Sequence, residues 1–120
     1  MQHLDQFKPD NLIGGYMHLS TEQVTLKSGS FYKIGSVLAK TATGECTLVD
    51  SSTDAKTVYA ILAEDIDATD AERVGVVYLS GEFNKRALVF GGSDTWEQHI
   101  DEARKLGMYF VDSSKTTIID

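Results

Sequence analysis

The sequence predicts a mainly β fold (α+β): a small β-sandwich or barrel-like domain with one amphipathic helix near the C-terminus and a flexible N-terminal arm. Three observations carry that expectation. Between Ile34 and Phe83 almost every apolar segment has strand length and is closed by glycine or an acidic residue. Beyond Gly91-Gly92, Trp96, Ile100 and Ala103 recur at helical spacing. Before about Thr25 the apolar residues Leu12, Ile13, Tyr16, Met17 and Leu19 keep neither period for long. With 120 residues the chain suits one compact domain. We therefore expect an arm over 1–25 and a single β-rich domain over 26–120.

Each element has its own local reason. Val24-Thr25-Leu26-Lys27 alternates apolar with polar, as a half-buried strand does. Ser28-Gly29-Ser30 makes a turn, and Phe31 to Lys40 reads as one extended segment rich in β formers. Thr43-Gly44 closes a hairpin into Cys46-Thr47-Leu48-Val49, because glycine supplies the positive φ that tight hairpins require. Val58 to Ala63 is nearly all apolar, the pattern of a central strand covered on both faces. Glu64 to Glu72 reads as a solvated acidic loop. Arg73 to Phe83 is a long strand, with Gly75 as a bulge or bend.

The helix is signalled at both ends. Asp94 with Glu97 three residues on forms a capping box, and Gly107 closes the last turn. Asp101 and Lys105 pair across one turn, while Trp96 anchors the apolar face on the sheet. Met108-Tyr109-Phe110-Val111 follows as a strand, and Thr116 to Ile119 as a further short one.

Chemistry is sparse. Eighteen acidic against eleven scattered basic residues give a net charge of −7, a field that repels phosphate backbones and anionic lipid surfaces. Neither nucleic acid nor membrane is therefore an expected partner. No apolar run approaches the roughly 20 residues of a membrane span, and Met1 to Phe7 lacks the pattern of a signal peptide. Cys46 is a lone cysteine, which excludes an internal disulfide, suits a reducing cytoplasm and reads as a small core residue.

The usual catalytic patterns fail one by one. His3, His18 and His99 fall in separate zones without metal-ligand spacing, and His99 reads as a partly exposed helix residue. The acidic loop places Val76 where a calcium loop starting at Asp65 needs its twelfth-position glutamate. Gly91-Gly92 lacks the lysine of a phosphate loop, and Ser80-Gly81 lacks the flanking glycine of a nucleophile elbow. The expectation is a non-enzyme with no catalytic residue, no metal and no cofactor.

The order Val24-Thr25-Leu26-x-x-Gly29, Lys33-x-Gly35-x-Val37-Leu38, Thr43-Gly44, Ala60-Ile61-Leu62-x-Glu64-Asp65-x-Asp67-Ala68, Leu79-Ser80-Gly81-Glu82-Phe83 and Leu106-Gly107-Met108-Tyr109-Phe110-Val111 resembles the head decoration proteins of tailed bacteriophages, of the lambda protein D type. The resemblance runs from about Val24 to Val111. It implies a virion structural protein, made in the bacterial host cytoplasm. On this reading it forms homotrimers on the outer surface of the expanded head, at threefold positions, and clamps the major capsid protein against internal DNA pressure. It also implies an arm that orders against the capsid. Leu12, Ile13, Tyr16, Val24, Thr25 and Leu26 are the expected capsid-binding residues, since isolated apolar side chains beside a strand-capable stretch suit addition to a partner sheet. Unlike the lambda pattern, the chain has Pro9 as its single proline, and its arm sequence differs.

Two other classes use similar strands. A lipoyl- or biotinyl-type carrier domain needs a lysine at a hairpin tip, where this chain has Thr43-Gly44. A small carbohydrate-binding β module would draw on Trp96 and on exposed members of the set Tyr16, Tyr32, Tyr59, Tyr78 and Tyr109.

Overall fold

The computed structural model describes residues 20–112. Eight strands are present among them: β1 (Ser20–Leu26), β2 (Ser30–Tyr32), β3 (Val37–Lys40), β4 (Cys46–Leu48), β5 (Ala60–Leu62), β6 (Ile66–Ala68), β7 (Arg73–Asn84) and β8 (Met108–Val111). A 3₁₀ turn, Lys85–Ala87, and the helix α1 (Trp96–Lys105) lie between the last two. The main sheet runs β1-β4-β3-β5-β7-β8 and closes on itself where β1 also pairs with β7. Five strands thus make a barrel, and β8 extends one wall.

Closure depends on the longest ladder among the described residues. β1 and β7 are antiparallel from Ser20↔Ser80 to Leu26↔Arg73, with one irregularity between Ser20 and Thr21. On its other side β1 meets β4 in parallel at Leu26↔Cys46. The ring is closed narrowly on this side: Leu26 is the one residue of β1 paired with β4, while Ser20 to Thr25 pair with β7 alone.

Two apolar clusters divide the core. Leu26, Leu38, Cys46, Ala60, Leu62 and Val77 supply at least one side chain from each barrel strand, and with Tyr32 and Ala68 they fill the barrel interior. The antiparallel β2–β6 ribbon carries those last two residues. The second cluster, with Val37, Val49, Ile61, Phe83, Ala103, Met108 and Phe110, lies on the outside of the sheet beneath α1. Alternate residues of β3 and β5 enter opposite clusters, which follows from the two-residue period of a strand. The central position expected for Val58 to Ala63 is therefore observed: β5 lies between β3 and β7, and all its residues are buried.

Several local expectations need correction. Phe31 to Lys40 is not one strand, because the chain turns through Gly35 at φ 90° between β2 and β3. Gly75 is neither bulge nor bend. A Cβ there would lie 3.2 Å from Ile66 Cγ1 and 3.3 Å from Leu26 Cδ1, so the glycine makes room inside the barrel. The acidic loop contains β6, and its carboxylates cap backbone amides: Asp65 accepts from Ile34 N at 2.7 Å and Glu64 from Val76 N at 3.0 Å. The Thr43-Gly44 hairpin between β3 and β4 is as expected, with Gly44 at φ 100° and the Glu45 carboxylate accepting from the Thr41 and Thr43 hydroxyls.

The helix starts one residue later than its sequence signal. Thr95 is the N-cap, and its amide donates to Gln98 Oε1 at 2.7 Å, leaving Asp94 free for another task. Trp96, Ile100 and Ala103 do face the core, and Lys85 Nζ sits 4.2 Å above the indole. Asp101 meets Arg104, at 3.7 Å, in an exposed pair. Gly107, at φ 88°, ends the element as expected. The expected strand from Thr116 to Ile119 lies outside the described residues.

Candidate functional site

Among the described residues, two places combine accessible or chemically unusual groups. The first is the root of the N-terminal segment. Of the six expected docking residues, Leu12, Ile13 and Tyr16 lie outside the described residues. Val24, Thr25 and Leu26 are found in β1, paired with Gly75, Val74 and Arg73 of β7. Leu26 is fully buried in the barrel, while Val24 and Thr25 are half-buried. All three are held in the ladder to β7, and the enclosed Leu26 side chain cannot grip a partner without opening the barrel. The exposed residues of this strand are Thr21, Glu22 and Gln23, and Glu22 accepts from the Tyr59 hydroxyl at 2.6 Å. That carboxylate pushes the Tyr59 phenol up to about 12, by the hydrogen bond first and by burial second.

The second place is an ionic cluster at the start of α1. His99 is 4 % exposed, which corrects the expectation of a partly exposed helix residue. Its Nε2 lies 2.8 Å from Asp94 Oδ2 and its Nδ1 3.0 Å from Glu102 Oε1. Asp94 also accepts from the amide and hydroxyl of Ser51, at 2.8 and 2.6 Å. Glu102 accepts from the Val58 amide at 2.8 Å. Phe90 stacks on the imidazole with ring centroids 5.5 Å apart. The cluster thus ties three pieces of chain together: the turn before α1, the helix itself and the 51–58 segment.

Its electrostatics follow from these contacts. The Ser51 hydroxyl, and then His99, hold the Asp94 carboxyl below the ordinary aspartate value. Burial opposes charge on His99, but the hydrogen bonds to Asp94 and Glu102 outweigh it and raise the imidazole above its ordinary value. The arrangement is not a nucleophile triad, because the Ser51 hydroxyl bonds the carboxylate rather than the imidazole.

Elsewhere among the described residues the surface offers little reactive chemistry. An open groove of about 880 Å³ runs past Lys27, Lys40, Asp50, Asp54 and Gly91-Gly92. Its glycines are there for packing: a Cβ on Gly91 would meet the Val49 carbonyl at 2.8 Å. Cys46 is fully buried, and burial pushes its thiol up to about 11, as a core cysteine should be. Tyr32 and Tyr78 are buried, so they give no aromatic platform for a sugar.

A barrel with one late helix, and no reactive constellation among the described residues beyond the cluster at His99, meets a family whose model spans most of the chain. The family model for bacteriophage lambda head decoration protein D matches residues 6–108. The chain belongs to that family. Search of characterised proteins one by one gives no match. The family is structural, and its name places its members on the phage head.

In this decoration protein the match begins within the segment before β1 and ends at the first residue of β8. Both the barrel and the helix fall inside it. The His99 cluster escaped sequence reading, although one signal for it was present. His99 stands three residues after Trp96 and four before Ala103, on the same helix face as the core contacts. A polar residue in that stripe needs buried partners, and Asp94 and Glu102 stand within reach in the sequence.

Proposed function

We propose that the chain binds the outer surface of the expanded phage head as a homotrimer at threefold positions, bridging major capsid protein subunits and opposing their separation under internal DNA pressure. Membership of the decoration family across residues 6–108 is the observation that carries this reading. The physical character of the chain supports it. A net charge of −7 keeps a protein needed in many copies soluble and away from packaged DNA.

Residues 1–19, carrying Leu12, Ile13 and Tyr16, are the docking arm in this proposal, and β1 is its anchor. Val24, Thr25 and Leu26 contribute by fixing the root of the arm through the ladder to β7. Ordering an arm on the capsid costs conformational entropy, and a trimer with three arms offsets that cost by raising effective concentration.

The test is to mix purified protein with undecorated expanded heads, then measure bound copies by sedimentation and the heat or chelator resistance of the decorated heads. Saturable binding with added resistance is expected, together with a trimeric mass of the bound species. No binding, or binding without added resistance, overturns the proposal. A variant lacking residues 1–19 should melt cooperatively yet lose retention on heads. If it binds as well as the full chain, the arm is excluded as the docking element while the family role stands.

A further inference from the structure

His99 is a buried titratable side chain to which head decoration assigns no task. Both of its ring nitrogens face carboxylate oxygens, at 2.8 Å for Asp94 and 3.0 Å for Glu102. An ionised carboxylate only accepts, so each contact needs a proton on the nitrogen, and both are satisfied only by the imidazolium. A neutral imidazole has one N–H and must leave one carboxylate facing a lone pair.

Which carboxylate loses is decided by burial. The Asp94 side chain is 2 % exposed and cannot be rehydrated in place, whereas that of Glu102 is 33 % exposed. The remaining proton therefore stays on Nε2, toward Asp94. Glu102 turns to water, and its second oxygen no longer receives the Val58 amide.

We propose that His99 is a proton-operated latch: as the imidazolium it clasps α1 to the 51–58 segment through both carboxylates, and as the neutral ring it releases Glu102 and with it the amide of Val58. The groups facing the ring are Asp94 from the preceding turn, Glu102 from α1 and Phe90 from the segment after β7. Asp94 and Glu102 are the charges that act on it. Ser51 and the Val58 amide bond those carboxylates from the 51–58 segment. Because the folded imidazole titrates above its ordinary value, the latch contributes fully below that ordinary value and is lost as pH rises through the folded one. It opens on the alkaline side.

The experiment follows the histidine and the amide separately in the full chain. Imidazole resonances are recorded through a pH series, with His99 assigned by its disappearance in His99→Gln. Hydrogen exchange at Val58 is measured across the same series and corrected for intrinsic base catalysis. The expected result is a His99 midpoint above that of an unfolded histidine, with Val58 protection falling roughly threefold to tenfold across it, the effect of one ordinary hydrogen bond. Glu102→Gln should lower the midpoint and abolish the step at Val58. A wild-type midpoint at or below the unfolded value overturns the latch, and so does Val58 protection that passes through the midpoint unchanged. Both wild-type readouts stand even if a variant folds poorly.

Discussion

β1 and α1 are fastened to the same barrel by opposite means. β1 is held by a seven-residue main-chain ladder and by Leu26, whose side chain is fully enclosed by the other barrel strands. Alongside its apolar contacts, α1 is tied down at its exposed-loop side by an imidazole between two carboxylates. The main-chain bonds and the Leu26 side chain of the first attachment carry no proton that titrates. The second carries a proton on one side and depends on it. A main-chain ladder with a buried leucine makes an attachment permanent, while an ionic clasp makes it conditional.

The largest effect should come from breaking the permanent attachment. Leu26→Ala removes a side chain at the centre of the barrel and should cost about 2–5 kcal/mol in denaturant unfolding, by the same amount at every pH where the wild type folds. A cost that varies with pH would mean that the two attachments are coupled. Next comes Asp94→Asn, which weakens the bonds to Ser51 and His99 and should cost about 1–3 kcal/mol near pH 6. Since the Asp94 carboxyl is held below its ordinary value, its contribution is complete above that value and disappears as pH falls through the folded one. Melts at decreasing pH should therefore bring wild type and variant together. The smallest effect is expected for Tyr59→Phe, which removes the hydrogen bond to Glu22 on an exposed part of β1. Less than about 1 kcal/mol should be lost, because the ladder and not this pair holds the strand.

The same contrast explains what was legible in the sequence. Val58 to Ala63 announced a central strand because its pattern and its burial have one cause, apolar contact on two faces. The Thr43-Gly44 turn and the Gly107 stop were visible because positive φ leaves a residue-type signature. The break at Gly35 was missed, since β formers on both sides hid a glycine that serves the same purpose. Gly75 was recognised as special for the wrong reason, because a close approach from Ile66 and Leu26 is a property of barrel closure and not of the local sequence. Barrel closure also hid the fate of Val24, Thr25 and Leu26, whose partners lie some fifty residues away in β7. Asp94 was given to a capping box by its local spacing, while Thr95 takes the cap and Asp94 reaches across to Ser51 and His99.

The β1–β7 ladder also has a consequence for how the chain is made. Ser20 cannot find Ser80, nor Leu26 Arg73, until β7 has been synthesised and has cleared the ribosome. At roughly 5–20 residues per second, the first strand of the barrel waits several seconds without its partner. An unpaired strand in that interval is a template for association with neighbouring copies. Between Ser20 and the apolar end of β1 stand Thr21, Glu22 and Gln23, polar residues with a charge at their centre. They remain on the surface of the finished barrel, and a charge in the middle of an unpaired strand disfavours its pairing with another copy.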